Sequence, residues 1–197
     1  MEEENFTSNI EKEDKFLEDF SIARNSLYIG QNFTFRRLQK DDFDRGLYEC
    51  LSNLTKVDNV TKEEFEARFD IIDPLNSNTY KMIVWVNEGT NKIVSFGTIM
   101  FELKLTNDFG IWGHIEDVVV HKNFIGLQLG KHLIYILKEI SKINLCYEII
   151  LNCKEELTKF YGKNQLGQRQ IQMWWQNTGM LSKGLKSYTP PKKFSKL

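Results

Sequence analysis

A strand, a glycine-containing loop and a long amphipathic helix follow one another between residues 111 and 143, and they constrain the fold more than any other segment. Residues 111–120 have the β-rich composition of a strand, and residues 128–143 place apolar side chains at the spacing of one buried helical face. That face consists of Leu129, Leu133, Ile136, Leu137 and Ile140. A further apolar strand at 146–151 follows the helix. Because parallel strands need such a crossover, the segment predicts a βαβ unit.

The remaining predicted elements complete a sheet that is covered by helices. A strand is predicted at 32–38, followed by a helix that opens at Asp41 or Asp42 and has Phe43, Leu47, Leu51 and Leu54 on its apolar stripe. A second helix opens at a capping box of Thr61 and Glu64, and strands at 80–86 and 93–105 then form a hairpin. After the βαβ unit come a short helix at 155–161 and a strand at 170–175. The predicted fold is therefore α+β, with α/β/α layers around a mixed, mostly antiparallel sheet.

The chain divides into three predicted regions. Residues 1–24 are charge-dense and form an amphipathic extension whose helix docks on the domain or stays loose. Residues 25–178 form a single domain, which agrees with a length of 197 residues. Residues 179–197 contain few core-forming residues and are expected to form an extended tail.

Composition excludes several classes of function. Lys plus Arg number 26 and Asp plus Glu 27, so the chain lacks the basic excess of a general nucleic-acid binder. No run approaches the ~18 apolar residues of a membrane span, and the acidic start is unlike a signal peptide. The three cysteines form no CxxC pair and are interpreted as buried hydrophobic residues. We therefore expect a cytoplasmic protein without nucleic-acid or membrane partners.

The loop that opens the long helix is a candidate anion site. Gly126 permits a close approach of the backbone to a ligand. Gly130 lies in the first helical turn, where N–H groups lack partners within the helix. Such N–H groups bind phosphate with help from the helix dipole, and Lys122 and Lys131 add positive charge. The same glycines would also suit a plain strand–loop–helix joint.

Two carboxylates, Glu116 and Asp117, interrupt the apolar strand before this loop. Carboxylates are seldom buried unless they are paired or functional. Strict alternation puts the two on opposite faces, so both reach one cleft only if the strand carries a bulge, which would also open a slot beside its parallel neighbour. The alternative is that one of them caps a backbone group. Glu116, which shares a face with His114, is the stronger candidate. Because the three histidines lack the spacing of metal ligands, no metal is expected.

Several segments together resemble the glucosamine-6-phosphate N-acetyltransferases, which belong to the GNAT superfamily of acetyl-CoA-dependent acyltransferases. The resemblance rests on the string Gly-His-Ile-Glu-Asp-Val-Val-Val at 113–120, the loop and helix start at 125–133, the strand at 146–153, and Lys-Phe-Tyr at 159–161. It extends over residues 32–176. It implies the GNAT fold, a homodimer, acetyl-CoA as the acetyl donor, and direct attack of the 2-amine of glucosamine 6-phosphate on the thioester. That reaction is a step towards UDP-N-acetylglucosamine.

The resemblance also implies roles for individual residues. Glu116 and Asp117 would bind the amine and accept its proton, Asn152 would orient it, Tyr161 would donate to the CoA thiolate, and Thr55 would line the acceptor loop. The CoA site would comprise Val118, Val119, Val120, Ile125, Gly126, Leu127, Gln128, Leu129, Gly130, Lys131, Phe160 and Tyr161.

The sequence departs from the family at identifiable positions. Asn152 stands where the family has an acidic residue, and an ungapped alignment puts Gln176 where it has an Arg near the sugar phosphate. Two alternatives therefore stay open. One is a GNAT enzyme acting on another amine, such as a polyamine or a protein N-terminus. The other is a degenerate module that binds acetyl-CoA without turnover.

Overall fold

The structure is a computed structural model that describes residues 2–25, 32–57, 59–169 and 173. Its regular elements are, in chain order, α1 (Glu2–Asn25), β1 (Phe33–Arg37), α2 (Leu47–Leu51), α3 (Lys62–Ile72), β2 (Tyr80–Asn87), β3 (Lys92–Leu103), β4 (Ile111–Val120), α4 (Leu129–Ile143), β5 (Cys146–Leu151) and α5 (Thr158–Lys163). Short 3-10 turns at Lys40–Phe43, Lys122–Phe124 and Glu155–Leu157 precede α2, α4 and α5.

The five strands form one sheet in the order β1-β2-β3-β4-β5. Neighbouring strands pair antiparallel from β1 to β4, whereas β4 and β5 pair parallel and are connected through α4. The predicted α+β class, with a mixed, mostly antiparallel sheet and one βαβ crossover, is confirmed.

Two apolar layers hold the helices on the sheet. On one face α1 and α4 cover the sheet, and on the other face α2 and α3 cover it. The predicted stripe of α4 lies in the first layer with exposures of 0–1%, so this helix is anchored along most of its length. The predicted α/β/α layering is therefore confirmed.

The helix expected from Asp41 or Asp42 to Leu54 is wrong as a single element. Gly46 has a φ of 80°, in the left-handed region, and separates a 3-10 turn from a helix of only five residues. The side chain of Asp42 is buried beneath this turn, where its carboxylate accepts hydrogen bonds from Arg36 at 2.7 and 2.6 Å. Leu54 lies beyond the helix and is 44% exposed.

Helix α1 docks on the domain, which is one of the two outcomes predicted for the N-terminal segment. Its Leu17 and Phe20 are buried against the sheet and α4. Its Glu13 is 1% exposed and lies 2.9 Å from Arg37, 3.2 Å from Lys81 and 2.6 Å from the amide nitrogen of Asn144. Because an unpaired buried charge is costly, this network fixes the position of the helix.

Several predictions fall on parts of the chain outside the described residues. These are the strand at 170–175 apart from Met173, which is 89% exposed, the side chain of Gln176, and the tail at 179–197. Within the described residues, no helix combines the length and the apolar character needed to cross a membrane.

Candidate active site

The strand that carries Glu116 and Asp117 contains a β-bulge. Phe96 of β3 lies opposite Val119 and Thr98 lies opposite Glu116, so Gly97 alone faces two residues of β4. Asp117 takes up the extra residue with a φ of 55°, a conformation that Asp tolerates better than most residues. The strand thus has the bulge that the sequence analysis named as the condition for both carboxylates to reach one cleft.

The bulge reverses the alternation of β4 beyond it. Ile115 is buried in the layer under α1 and α4, but Val119 is buried in the layer on the opposite face, although four residues separate them. Without the extra residue both side chains would share one face. Glu116 and Asp117 lie between these two positions and are both exposed, so neither is buried in the core.

A slot opens between β4 and β5 on the C-terminal side of the bulge. Their pairing ends at Ile115 and Leu151, and within the described residues β5 provides no partner for residues 116–120. After Leu151 the chain leaves the sheet towards α5. A Cβ atom on Gly130 would lie 3.4 Å from the ring of Phe160 and 3.5 Å from Val120, so α4, α5 and β4 converge here. Gly130 therefore serves close packing at this junction.

Both carboxylates at the bulge have perturbed acidity. Burial and the neighbouring Asp117 raise the pKa of Glu116, while His114 partly offsets that rise. Burial alone raises the pKa of Asp117. Both residues also reach solvent, which limits the effect of burial. A raised pKa makes an ionised carboxylate a stronger base, which suits it to remove a proton from an ammonium group.

Tyr161 lies on α5 and is 9% exposed. Burial raises its pKa, and the nearby Cys153 and Glu116 raise it further. The phenol therefore stays protonated at neutral pH and can donate a proton. Cys153 and Glu116 are therefore both within electrostatic range of the Tyr161 hydroxyl.

Cys153 was missed as a site neighbour because all three cysteines were interpreted as buried. Cys50 is buried, with a pKa raised to about 12, and Cys146 is half-buried, with a pKa raised to about 11. Cys153 is exposed instead, next to Asn152 in the segment that leaves β5. Its position directly after a strand that ends in this slot was the available signal.

The predicted anion-binding loop has the geometry of a helix start. Gly126 and Gln128 adopt positive φ angles of 96° and 60°, and α4 begins at Leu129. The first helical bond of α4 joins the N–H of His132 to the carbonyl of Gln128 at 3.1 Å. The N–H groups of residues 129–131 precede that bond and have no acceptor within the helix. In the same segment Ile125 and Lys131 are exposed and Leu127 is half-buried.

The acceptor-side residue Thr55 is exposed in the turn that follows α2. In the same turn, the side-chain oxygen of Asn53 accepts a hydrogen bond from the backbone N–H of Lys122 at 3.2 Å. Lys122 lies just beyond β4, so the turn with Thr55 is attached to the end of the strand that carries the bulge.

Comparisons with known proteins agree with this architecture. The profile of the acetyltransferase (GNAT) family matches residues 44–166, which include the bulge, the loop and α5. The chain belongs to the GNAT acetyltransferase family. Glucosamine 6-phosphate N-acetyltransferase 1 of Dictyostelium discoideum is 42% identical over 148 residues, which are 75% of this chain and 93% of the relative.

Solved structures of acetyltransferases superimpose on this chain as well. The crystal structure of glucosamine-6-phosphate N-acetyltransferase from Arabidopsis thaliana superimposes with a TM-score of 0.70 at 37% identity, covering 74% of this chain and 98% of that one. An acetyltransferase of Trypanosoma brucei superimposes with a TM-score of 0.67 at 31% identity, covering 73% and 99% of the two chains. Among its GNAT relatives, the chain is thus similar to the glucosamine 6-phosphate N-acetyltransferases over most of their length.

Proposed function

We propose that this GNAT acetyltransferase transfers the acetyl group of acetyl-CoA to the 2-amino group of glucosamine 6-phosphate, giving N-acetylglucosamine 6-phosphate and CoA. The observation that carries the proposal is the bulge, which puts two carboxylates at a slot that Tyr161 also borders. The similarity to enzymes named for this reaction supports the choice of acceptor.

The donor would lie along the slot and the start of α4. Its pyrophosphate would lie over residues 125–131 and accept hydrogen bonds from the N–H groups of residues 129–131, which suits the helix dipole. Its pantetheine arm would pair with the edge of residues 118–120, which β5 leaves open. The ring of Phe160 would border the same region.

The acceptor amine would lie at the bulge. Glu116 or Asp117 takes a proton from the ammonium group, directly or through water, and Asn152 accepts a hydrogen bond from the amine. The neutral nitrogen then forms a bond to the thioester carbon and gives a tetrahedral intermediate with an oxyanion. This intermediate collapses as the carbon–sulfur bond breaks and the nitrogen loses its surplus proton to water. An N–H of the bulged strand near Val118 stabilises the oxyanion, and Tyr161 donates its proton to the leaving sulfur. Thr55 borders the acceptor.

We further propose that the enzyme is a cytoplasmic homodimer that needs no metal, with residues 25–178 as the catalytic domain. The dimer rests on the family resemblance and on the apolar composition of residues 171–175. Light scattering after size-exclusion chromatography tests it: a mass of one chain would refute the dimer.

The function is tested by CoA release with a panel of acceptors: glucosamine 6-phosphate, glucosamine, a polyamine and a peptide with a free N-terminus. We expect glucosamine 6-phosphate to be the preferred acceptor, and Glu116→Gln to lower that rate by about 100-fold. Glu139→Gln is the matched control, because Glu139 pairs with Lys142 on α4, and it should leave the rate unchanged. A faster rate with the polyamine or the peptide would overturn the choice of acceptor, and tight acetyl-CoA binding without any transfer would indicate a degenerate binding module.

A further inference from the structure

A basic cavity lies beside the start of α4, outside the slot. It occupies about 220 Å³ between the end of α1, the outer face of α4 and the segment that follows α5. One water molecule takes up about 30 Å³ of liquid, so the cavity has room for a phosphate group and several further atoms. Cations line it from all three sides: Arg24 from α1, Lys131 and Lys138 from α4, and Lys163 from α5.

Among the residues that the structure describes, no carboxylate neutralises the positive charge of this cavity. None of them lines it, and none lies within ion-pair distance of Arg24, Lys131 or Lys163. Lys138 donates to two neutral acceptors, the carbonyl of Asn164 and the side-chain oxygen of Gln165, both at 3.1 Å. Four cations without a carboxylate favour an anionic ligand.

A buried histidine that lines the cavity has a pKa that this positive charge lowers. His132 is 6% exposed, and burial together with the positive charges of Arg24 and Lys131 lowers its pKa to about 4. The ring is therefore neutral at physiological pH and adds no cation of its own. Its depressed pKa is consistent with the excess of positive charge that the lining residues indicate.

The cavity continues from the proposed donor site. Gln128 and Lys131 belong both to its lining and to the loop that would bind the pyrophosphate. From Lys131 to Lys138 the helix rises by about 10 Å at 1.5 Å per residue. A ligand whose pyrophosphate lies on the first turn of α4 can therefore extend a second anionic group into the cavity. CoA has such a group, the phosphate monoester on its ribose.

We propose that this cavity binds the 3′-phosphate of CoA, and that Arg24 of α1 supplies one of the cations. The inference rests on the proposed function, because it assumes CoA as the donor. It goes further in giving α1 a part in cosubstrate binding. Arg24 lies outside residues 44–166, the region that matches the family profile, so family membership does not assign it this role.

The test compares CoA with 3′-dephospho-CoA by isothermal titration calorimetry on the full chain. We expect the wild-type protein to bind CoA about five- to tenfold more tightly, the range for a charge-assisted contact that solvent can reach. Arg24→Gln and Lys163→Gln should each remove most of this preference by weakening CoA binding, while the affinity for 3′-dephospho-CoA stays the same. Lys142→Gln is the matched control, because Lys142 lies on the same helix but pairs with Glu139, and it should keep the full preference.

Two results would overturn the inference. One is equal affinity of the wild-type protein for the two ligands, and the other is a full preference for CoA in both variants. Since two variants on different helices are used, misfolding of one leaves the test intact. Loss of affinity for both ligands in a folded variant would also contradict a role confined to the 3′-phosphate. If the wild-type protein binds neither ligand, the proposed function fails together with the inference, whereas acetyl transfer with equal affinities would refute the inference alone.

Discussion

Gly97 is the residue of β3 that faces the bulge, and replacing it by alanine tests how tightly α4 packs against that part of the sheet. A Cβ atom there would lie 3.0 and 3.3 Å from the two methyl groups of Leu133 and 3.2 Å from a methyl group of Leu137. Both leucines have an exposure of 0%, so neither can move aside into solvent. Overpacking of a core costs about 1–3 kcal/mol, and replacing glycine in a strand returns about 0.5–1 kcal/mol. The difference is a loss of about 0–2.5 kcal/mol. Because three methyl groups lie within 3.3 Å of the new Cβ atom, we expect the upper part of that range, a free energy of unfolding lower by about 1–2 kcal/mol.

Urea unfolding followed by circular dichroism measures this change as a lower midpoint at an unchanged slope. Gly162→Ala is the matched control, because Gly162 lies in α5 and a Cβ atom there meets nothing within 4 Å. That substitution should raise stability by about 0.5–1 kcal/mol through helix propensity. If Gly97→Ala proved as stable as the wild-type protein or more so, the contact of α4 with the bulged region would be looser than the distances indicate.

Three further predictions concern the site and the N-terminal helix. Tyr161→Phe keeps the packing of the ring but removes the proton donor, so kcat should fall by about 100-fold with little change in the affinity for acetyl-CoA; an unchanged kcat would remove the role of Tyr161. Burial raises the pKa of Asp117 in the folded protein above its ordinary 3.8. The wild-type protein therefore loses stability relative to the Asn variant as the pH rises from 3.8 through the raised pKa. Asp117→Asn should therefore gain stability relative to the wild-type protein when urea unfolding at about pH 7 is compared with unfolding at about pH 3, and a constant difference would contradict the shift. Glu13→Ala removes the buried carboxylate that Arg37 and Lys81 share, while Arg37 keeps its ion pair with Asp14 at 2.9 Å. The loss should therefore be about 3 kcal/mol in urea unfolding, at the lower end for a broken buried pair; a loss below about 1 kcal/mol would show that the network does not fix α1.

Elements with a strong local signal could be predicted from the sequence. The stripe of α4 is buried as expected, and the capping box forms as predicted, with the Glu64 N–H donating to Thr61 at 3.2 Å and the Thr61 N–H donating to Glu64 at 3.0 Å. Both depend on residues a few positions apart. The break in the predicted helix at Gly46 was not predicted, because an isolated glycine within a helical pattern does not by itself indicate a left-handed conformation.

The geometry of the site depends on how neighbouring strands pair, which the sequence of one strand does not determine. The order of residues in β4 allowed a bulge at Glu116 and Asp117 but could not require one, because the decision depends on its register with Gly97. The basic cavity was not predicted either. It forms only where α1 docks near α4, which brings Arg24 beside Lys131, more than one hundred residues along the chain. No local pattern encodes that contact.

Acetylation of the 2-amine of glucosamine 6-phosphate is the reaction that we propose for this GNAT fold. The most direct measurement is an NMR spectrum of the products formed from acetyl-CoA labelled with ¹³C in the acetyl group, with glucosamine 6-phosphate or glucosamine as the acceptor. We expect a single labelled amide at the 2-nitrogen, formed much faster from the phosphorylated sugar. Equal rates with the two sugars would contradict the choice of acceptor, and an unaltered label in acetyl-CoA would contradict catalysis altogether.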